Sequence, residues 1–172
     1  VRPRLLVTGS AKLDTYKKMG DSLAGRFFSH RLYPFDIKEL KNTMDSEEIF
    51  KRLMTVSSFP EPFIKNDVVF YNRWKRSHLD IILKQDLLDL ESVLNIQGME
   101  TLIELLRHRV GSTLSYSSLS RDLEIDPKTV KRWLHILENL YVVFKVNPYH
   151  KNIARSLLKE PKYYFYDTMQ VV

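Results

Sequence analysis

The sequence predicts a mostly helical chain of the α+β class. Helical spacing of apolar residues recurs between residues 46 and 139, two runs rich in β-branched and aromatic residues follow, and one short apolar run stands near the start. Hydrophobic residues make up 44% of the 172 residues and charged residues 28%. This composition is typical of a globular protein with a buried core and argues against a disordered, collagen-like or coiled-coil chain.

The first part of the chain alternates apolar runs with helical patterns. Residues 4–10 form an apolar run that ends in Thr-Gly-Ser, the pattern of a strand buried on both faces of an α/β sheet. A second short strand leading into a helix is expected within residues 27–40. Helical spacing then predicts a helix over residues 46–56, ended by a Pro-rich stretch, and a long helix over residues 66–95. Gly98 interrupts the second helical pattern and marks an expected boundary.

The last part of the chain has the element order of a winged helix-turn-helix. Apolar spacing predicts three helices within residues 99–139, and the third begins where Asp126 precedes Pro127. Asp accepts hydrogen bonds from the free amides of a helix start, and Pro has no amide hydrogen to leave unpaired there. Two strands are expected over residues 141–146 and 163–166. Helix, short helix, turn, helix, strand, strand is the order of a winged helix.

The third predicted helix presents a basic face. If Val130, Leu134 and Leu137 face the core, the opposite side points to solvent near the helix start, where recognition helices meet base edges. Five side chains lie on that side: Lys128, Thr129, Lys131, Arg132 and His135. Lys and Arg suit guanine or phosphate, and Thr suits a phosphate oxygen, so the face predicts binding to double-stranded DNA. The alternative is an ordinary solvated face, since winged helices also serve as protein-binding modules.

A second basic region surrounds the predicted strands. Cationic residues stand there among tyrosines: Lys145, Lys151, Arg155, Lys159 and Lys162 among Tyr149, Tyr163 and Tyr164. Such a mixture suits phosphate contacts and base stacking, and the net charge of +6 permits an acidic partner. The alternative is that the aromatic residues pack in the core while the lysines protect the sheet edge.

Several kinds of chemistry are excluded by what the sequence lacks. It has no cysteine, which excludes disulfides, thiolate metal sites, thiol nucleophiles and iron–sulfur clusters. No two of its five histidines stand at metal-ligand spacing on one predicted helix, so no metal site is expected. No G-x-x-x-x-G-K-[ST] motif occurs, so the chain has no recognisable site for a nucleoside triphosphate.

The sequence also predicts where the protein lies and how much of it is present. No run approaches the roughly 20 apolar residues of a membrane-spanning helix, and the start has no signal peptide. A cytoplasmic protein that does not enter a membrane is therefore expected. Since the chain begins with Val1 and enters an apolar run almost at once, it is expected to be a fragment of a longer protein.

Eight short motifs are spread over nearly the whole chain. They occupy residues 6–14, 20–26, 59–63, 84–87, 111–116, 129–134, 148–149 and 159–163. Together they resemble successive motifs of a prokaryotic AAA+ family ATPase with a C-terminal winged helix. Two positions depart from the family pattern. Ser57 and Ser58 stand where glycines usually precede the Phe-Pro-Glu-Pro motif, and Met169 stands where a glycine usually follows Asp167 and Thr168.

The resemblance implies ATP chemistry in a longer parent protein. Family members carry a phosphate loop and an acidic Mg²⁺-binding strand upstream, and a nuclease-like region downstream. The parent is thus expected to be an ATPase that binds ATP and Mg²⁺, whereas no cofactor and no ATP hydrolysis are expected of this fragment.

Two residues correspond by resemblance to catalytic positions. Ser10 matches a polar sensor of the γ-phosphate, and Arg26 matches a guanidinium that stabilises the transferring phosphate, in cis or across a subunit boundary. The alternatives are that Arg26 pairs structurally with Asp21 or Asp14 and that Ser10 only ends a strand.

The resemblance also implies three parts. Residues 1–35 are expected to be the end of the AAA+ α/β core, residues 36–98 a helical lid-like region, and residues 99–172 a winged helix-turn-helix with the start of a truncated downstream domain. The implied function is that of an ATPase fragment whose winged helix binds DNA. A homo-oligomer or a protein partner is left open. The alternative is a non-enzymatic winged-helix module, either a DNA-binding regulator or a protein-interaction scaffold.

Overall fold

The computed structural model describes residues 30–81, 95–149 and 159–167, together with the single residues 6, 8, 9, 28 and 151. Seven helices and one pair of antiparallel strands lie in this part of the chain. They are α1 (Ile37–Leu40), α2 (Ser46–Val56), α3 (Pro60–Lys65), α4 (Val68–Ile81), α5 (Ile96–Arg107), α6 (Tyr116–Leu123), α7 (Pro127–Asn139), β1 (Val143–Val146) and β2 (Lys162–Phe165). A mostly helical α+β chain is thus confirmed.

Residues 30–81, called here the helical unit, build a small apolar core from α1, α2 and α3. Asp36 caps α1 and Asp45 caps α2, since each carboxylate accepts a hydrogen bond from an amide of the first turn. Pro60 is the first residue of α3, a position where no amide hydrogen is needed. The buried residues of this core are Leu40, Ile49, Leu53 and Phe63, and Phe35 and Met44 pack against them.

The start of the chain differs from the prediction in two places. Leu6, expected in a strand buried on both faces, is 86% exposed and lies in no strand. Such a strand needs neighbouring strands, and the described residues near it supply none. Residues 30–36 also form no strand, which corrects the described part of the strand expected within 27–40. Instead, the Phe35 amide donates a single hydrogen bond of 2.7 Å to the Ser58 carbonyl.

The second part of the structure, called here the C-terminal unit, comprises residues 95–149 and 159–167. In it, α5, α6 and α7 pack against one face of the strand pair. In the antiparallel register Val143 lies opposite Phe165, and Val146 lies opposite Lys162. Thr113 forms an isolated bridge with Lys162, which ties the segment before α6 to the start of β2. Every element contributes to the core, for example through Met99, Leu119, Trp133, Leu137, Val143 and Phe165.

Helix α5 starts earlier than the sequence predicts. Asn95 is its N-cap, and the Asn95 side chain accepts a hydrogen bond of 2.7 Å from the Gly98 amide. Gly98 therefore lies in the first turn of a helix and does not interrupt it. After α5, the turn contains Gly111 with a φ of +79°, a left-handed conformation that glycine adopts without strain. The domain limits at residues 35 and 98 stay predictions.

Candidate nucleic-acid interface

The start of α7 is fixed by its cap. The Asp126 carboxylate accepts hydrogen bonds from the amides of Lys128 at 2.9 Å and Thr129 at 3.2 Å, and Pro127 occupies the first helical position. These contacts satisfy two of the amides that a helix start leaves without partners. The predicted start of the third helix is confirmed. Because helix geometry is regular, this start also sets the direction in which each side chain of the first two turns points.

One side of α7 is buried in the core of the C-terminal unit. Its buried apolar residues are Val130, Trp133, Leu134, Ile136 and Leu137. Burial of this side turns the opposite side to solvent, where Lys128, Lys131, Arg132 and His135 are exposed. Thr129 is half-buried because it stands one turn before the buried Trp133 and so borders the core side.

The four exposed residues form a continuous row, called here the α7 stripe (Lys128, Lys131, Arg132 and His135). Their spacing of i, i+3, i+4 and i+7 places them on neighbouring turns of one helix face. Seven residues of helical rise make the row about 10 Å long. The row contains no acidic residue. It therefore presents three cationic donor side chains, Lys128, Lys131 and Arg132, and the imidazole of His135.

The end of the stripe contacts two neighbouring side chains. Nδ1 of His135 lies 3.8 Å from the Glu138 carboxylate, and Nε2 of His135 lies 3.3 Å from the Asn139 side-chain amide. Glu138 is half-buried and stands at the last turn of α7. These contacts place an acidic and an amide side chain beside His135, at the end of the stripe.

The residues around the strands divide into core and surface. Tyr163 is buried in the core, where its hydroxyl lies 3.3 Å from the Tyr116 hydroxyl and burial raises its pKa. For Tyr163 the core alternative is therefore the correct one, since a buried ring cannot stack on a base. Tyr149 is 94% exposed, and Tyr164 stacks on Phe144 with ring centroids 5.6 Å apart. The exposed lysines of this region are Lys145, Lys151, Lys159 and Lys162. Arg155 lies outside the described residues.

The two predicted catalytic residues, Ser10 and Arg26, lie outside the described residues, and so do Asp14 and Asp21. Among the residues with described structure, no group of three His, Asp or Glu side chains stands close enough to hold a metal ion. None of the described helices is both long and apolar enough to cross a membrane.

A buried polar cluster was missed by the sequence reasoning. Asp167 is 1% exposed and lies two residues after the end of β2. Its carboxylate accepts hydrogen bonds from the Ser58 amide at 3.4 Å and from the Tyr71 hydroxyl at 3.5 Å. Burial and the nearby Asp167 carboxylate raise the pKa of Tyr71 above its usual value. The one sequence signal near them is that Ser58, and Met169 two residues after Asp167, stand where the family that the sequence resembles usually has glycine.

Relatives of the chain occur in bacteria and archaea. Uncharacterized proteins of Mycobacterium bovis and Mycobacterium tuberculosis are each 26% identical to it over 165 residues, which cover 96% of this chain and 36% of each relative. An uncharacterized protein of Methanocaldococcus jannaschii is 22% identical over 176 residues, covering 90% of this chain and 40% of that relative. The chain thus spans well under half the length of these relatives.

The comparison with solved structures found no significant match. Residues 47–169 match the profile of a family described as "Domain of unknown function (DUF8612)". That match includes α3 to α7, nearly all of α2, both strands and Asp167, which is most of the chain. The chain therefore belongs to the DUF8612 family.

Proposed function

We propose that the C-terminal unit is a winged helix-turn-helix that binds double-stranded DNA through α7. The observation that carries this proposal is the α7 stripe, a row of cationic and donor side chains on the face opposite the core. DNA carries one negative charge for about every 1.7 Å of helix axis, so a row about 10 Å long faces several phosphates.

The arrangement of the elements supports the winged-helix part of the proposal. Helices α6 and α7 are in extensive contact and are joined by a short turn, in which Glu124 has a φ of +54°. The strand pair follows α7 directly and packs on the same core. This order favours the strand pair as the wing and α7 as the recognition helix.

The dimensions of α7 suit a major groove. That groove is about 12 Å wide and admits one α-helix, whose first turns contact base edges. Arg132 has the fork geometry for guanine O6 and N7, while Lys128 and Lys131 provide cations for phosphates on either side. Thr129 is half-buried, and its hydroxyl is the group that would donate a hydrogen bond to a phosphate oxygen. Lys145 and Lys162 on the wing would add contacts that carry no sequence preference.

We also propose that the whole protein is an ATPase of AAA+ type that rearranges this DNA-binding unit. The resemblance of the motifs is the support for this. Because the sequence has no phosphate loop, its residues do not form a nucleotide site by themselves, and the upstream part of the longer protein would bind ATP and Mg²⁺. Ser10 and Arg26 stay the proposed γ-phosphate sensor and phosphate-stabilising residue of that longer protein.

The test of DNA binding is a salt series. Fluorescence anisotropy of a labelled duplex measures the dissociation constant at several salt concentrations, for the 172-residue chain and for the double variant Lys131→Ala, Arg132→Ala. Each lost phosphate contact lowers the salt slope by about 0.9, so the double variant is expected to lose about 0.9 through Lys131 and further affinity through the base contact of Arg132.

A matched control separates the stripe from overall charge. Lys41 and Lys51 are exposed on the helical unit, and the variant Lys41→Ala, Lys51→Ala changes the net charge by the same amount. This control is expected to bind DNA as the unchanged chain does. Equal loss of affinity in both double variants would mean that charge alone attracts DNA. Absence of binding at low salt would assign the C-terminal unit to protein contacts.

A further inference from the structure

We propose that the buried cluster of Asp167, Ser58 and Tyr71, called here the Asp167 cluster, couples the folding of the helical unit to that of the C-terminal unit. The cluster joins a loop and a helix of the first unit to a residue that follows the last strand of the second. The coupling does not depend on DNA binding.

The two units have separate apolar cores. The core of the helical unit is built around Ile49, Leu53 and Phe63, and that of the C-terminal unit around α5, α6, α7 and the strands. Among the described elements, every extensive contact joins two elements of the same unit. Apolar packing between helices therefore does not explain how the two units are held together. Contacts between single residues of the two units must do so.

The Asp167 cluster is a buried contact between the two units. Ser58 is 7% exposed, Tyr71 is 2% exposed and Asp167 is 1% exposed. Oδ1 of Asp167 accepts from the Ser58 amide and also from the Ser58 hydroxyl at 3.5 Å, and Oδ2 accepts from the Tyr71 hydroxyl. Removal of the carboxylate would leave one amide and two hydroxyls of the helical unit buried without this acceptor, which is costly.

Charged side chains of both units lie around the cluster. Lys75 on α4 lies near Arg107 and Glu104 on α5, and burial together with Arg107 lowers the pKa of Lys75, while Asp167 acts in the opposite direction. Arg107 is bound to Glu104, and its Nε is buried without a hydrogen-bond partner. The attraction between the Asp167 carboxylate and these cations acts only while both units stay in place, because opening surrounds each charge with water and screens it.

A second contact between the units serves as a comparison. The rings of Tyr33 and Tyr166 stack with their centroids 5.7 Å apart, and Tyr33 is 48% exposed. A half-exposed ring stack stabilises less than a buried hydrogen-bonded carboxylate. Tyr33→Ala thus removes a contact between the units without touching the Asp167 cluster.

The test uses amide hydrogen exchange, read separately in α2 and α7 of the 172-residue chain. Asp45→Ala removes the N-cap of α2 and destabilises the helical unit locally. If the units are coupled, this change accelerates exchange about fivefold in α2 and in α7 alike. In the Asp167→Ala background the same change is expected to accelerate exchange in α2 only.

Two further backgrounds serve as a control and as a replacement for Asp167→Ala. In the Tyr33→Ala background, Asp45→Ala is expected to act on both helices, as it does in the unchanged chain. Should Asp167→Ala fail to fold, the pair Ser58→Ala and Tyr71→Phe removes two side-chain donors while it retains the carboxylate, and it is expected to restrict the effect to α2. The proposal is overturned if α7 still responds in either background, or if Tyr33→Ala separates the two units equally well.

Discussion

Gly98 lies directly against the indole ring of Trp133. A Cβ atom at position 98 would stand 2.6 Å from Cη2 of that ring and 2.8 Å from the side-chain nitrogen of Asn95. Trp133 is 5% exposed and held on all sides by the core, so the ring cannot move away. The close approach of α5 to α7 therefore requires a residue without a side chain, which explains a glycine in the first turn of a helix.

Gly98→Ala is expected to destabilise the protein by about 1 to 3 kcal/mol, the usual cost of overpacking a core. The sign of this change in the free energy of unfolding is informative, because replacing glycine by alanine within a helix ordinarily stabilises a protein by roughly 0.5 to 1 kcal/mol. Urea unfolding followed by the fluorescence of the two tryptophans measures the difference. A variant as stable as the unchanged chain would show that Trp133 has room to shift.

Ser57→Gly is expected to stabilise the protein by about 1 kcal/mol. Ser57 is buried with a φ of 95° and a ψ of 160°, a region that glycine occupies almost alone and that costs other residues roughly 1 to 3 kcal/mol. This relief outweighs the lost hydrogen bond from the Phe59 amide to the Ser57 hydroxyl, worth about 1 kcal/mol. Thermal unfolding of Ser57→Gly and Ser57→Ala separates the two effects, since the alanine variant keeps the strain and should be less stable than the unchanged chain.

Asp126→Ala is expected to lower the free energy of unfolding by about 1 kcal/mol, because the amides of Lys128 and Thr129 lose their acceptor. Fraying of the first turn also disorders the start of the α7 stripe, so affinity for duplex DNA should fall. Asp126→Ser retains a capping oxygen and should preserve both stability and affinity in the same two measurements. A gain of affinity in Asp126→Ser with stability intact would instead show that the negative charge at this position repels the phosphates.

Tyr71→Phe is expected to change how stability depends on pH above about 10, the ordinary pKa of tyrosine. Since the folded-state pKa of Tyr71 is raised, the unfolded chain releases this proton first, and stability present below pH 10 is lost as pH rises, at about 1.4 kcal/mol per pH unit. The variant lacks this loss and should show a shallower decline in urea unfolding at about pH 9, 10 and 11, on either side of that pKa. Other groups that titrate in this range act in both proteins and cancel in the comparison. Parallel declines would contradict a raised pKa at Tyr71.

The C-terminal unit could be predicted from sequence because its signals are local. Asp126 followed by Pro127 marks the start of α7, and helical spacing identifies which side is buried, so the exposure of Lys131 and Arg132 follows. The strand pair was recognisable from its β-branched and aromatic residues. Gly98 was misjudged, because a glycine chosen for close packing looks in sequence like a glycine that ends a helix.

The links to the helical unit could not be predicted in this way. The partners of Asp167 lie 109 and 96 residues away, and no local pattern connects residues at such separations. The burial expected for Leu6 was wrong because it assumed neighbouring strands that the described residues do not supply. DNA binding by the α7 stripe, and the roles of Ser10 and Arg26, stay predictions.

The contact between Tyr116 and Tyr163 has a consequence for synthesis on the ribosome. These residues are 47 positions apart, and Tyr163 and Phe165 complete the core that the three helices begin. The helices leave the exit tunnel before β2 does, and until β2 follows, part of their apolar surface is uncovered. The nascent chain is thus exposed to aggregation for the few seconds that this stretch takes at about 5 to 20 residues per second, and a pause within it would lengthen that exposure.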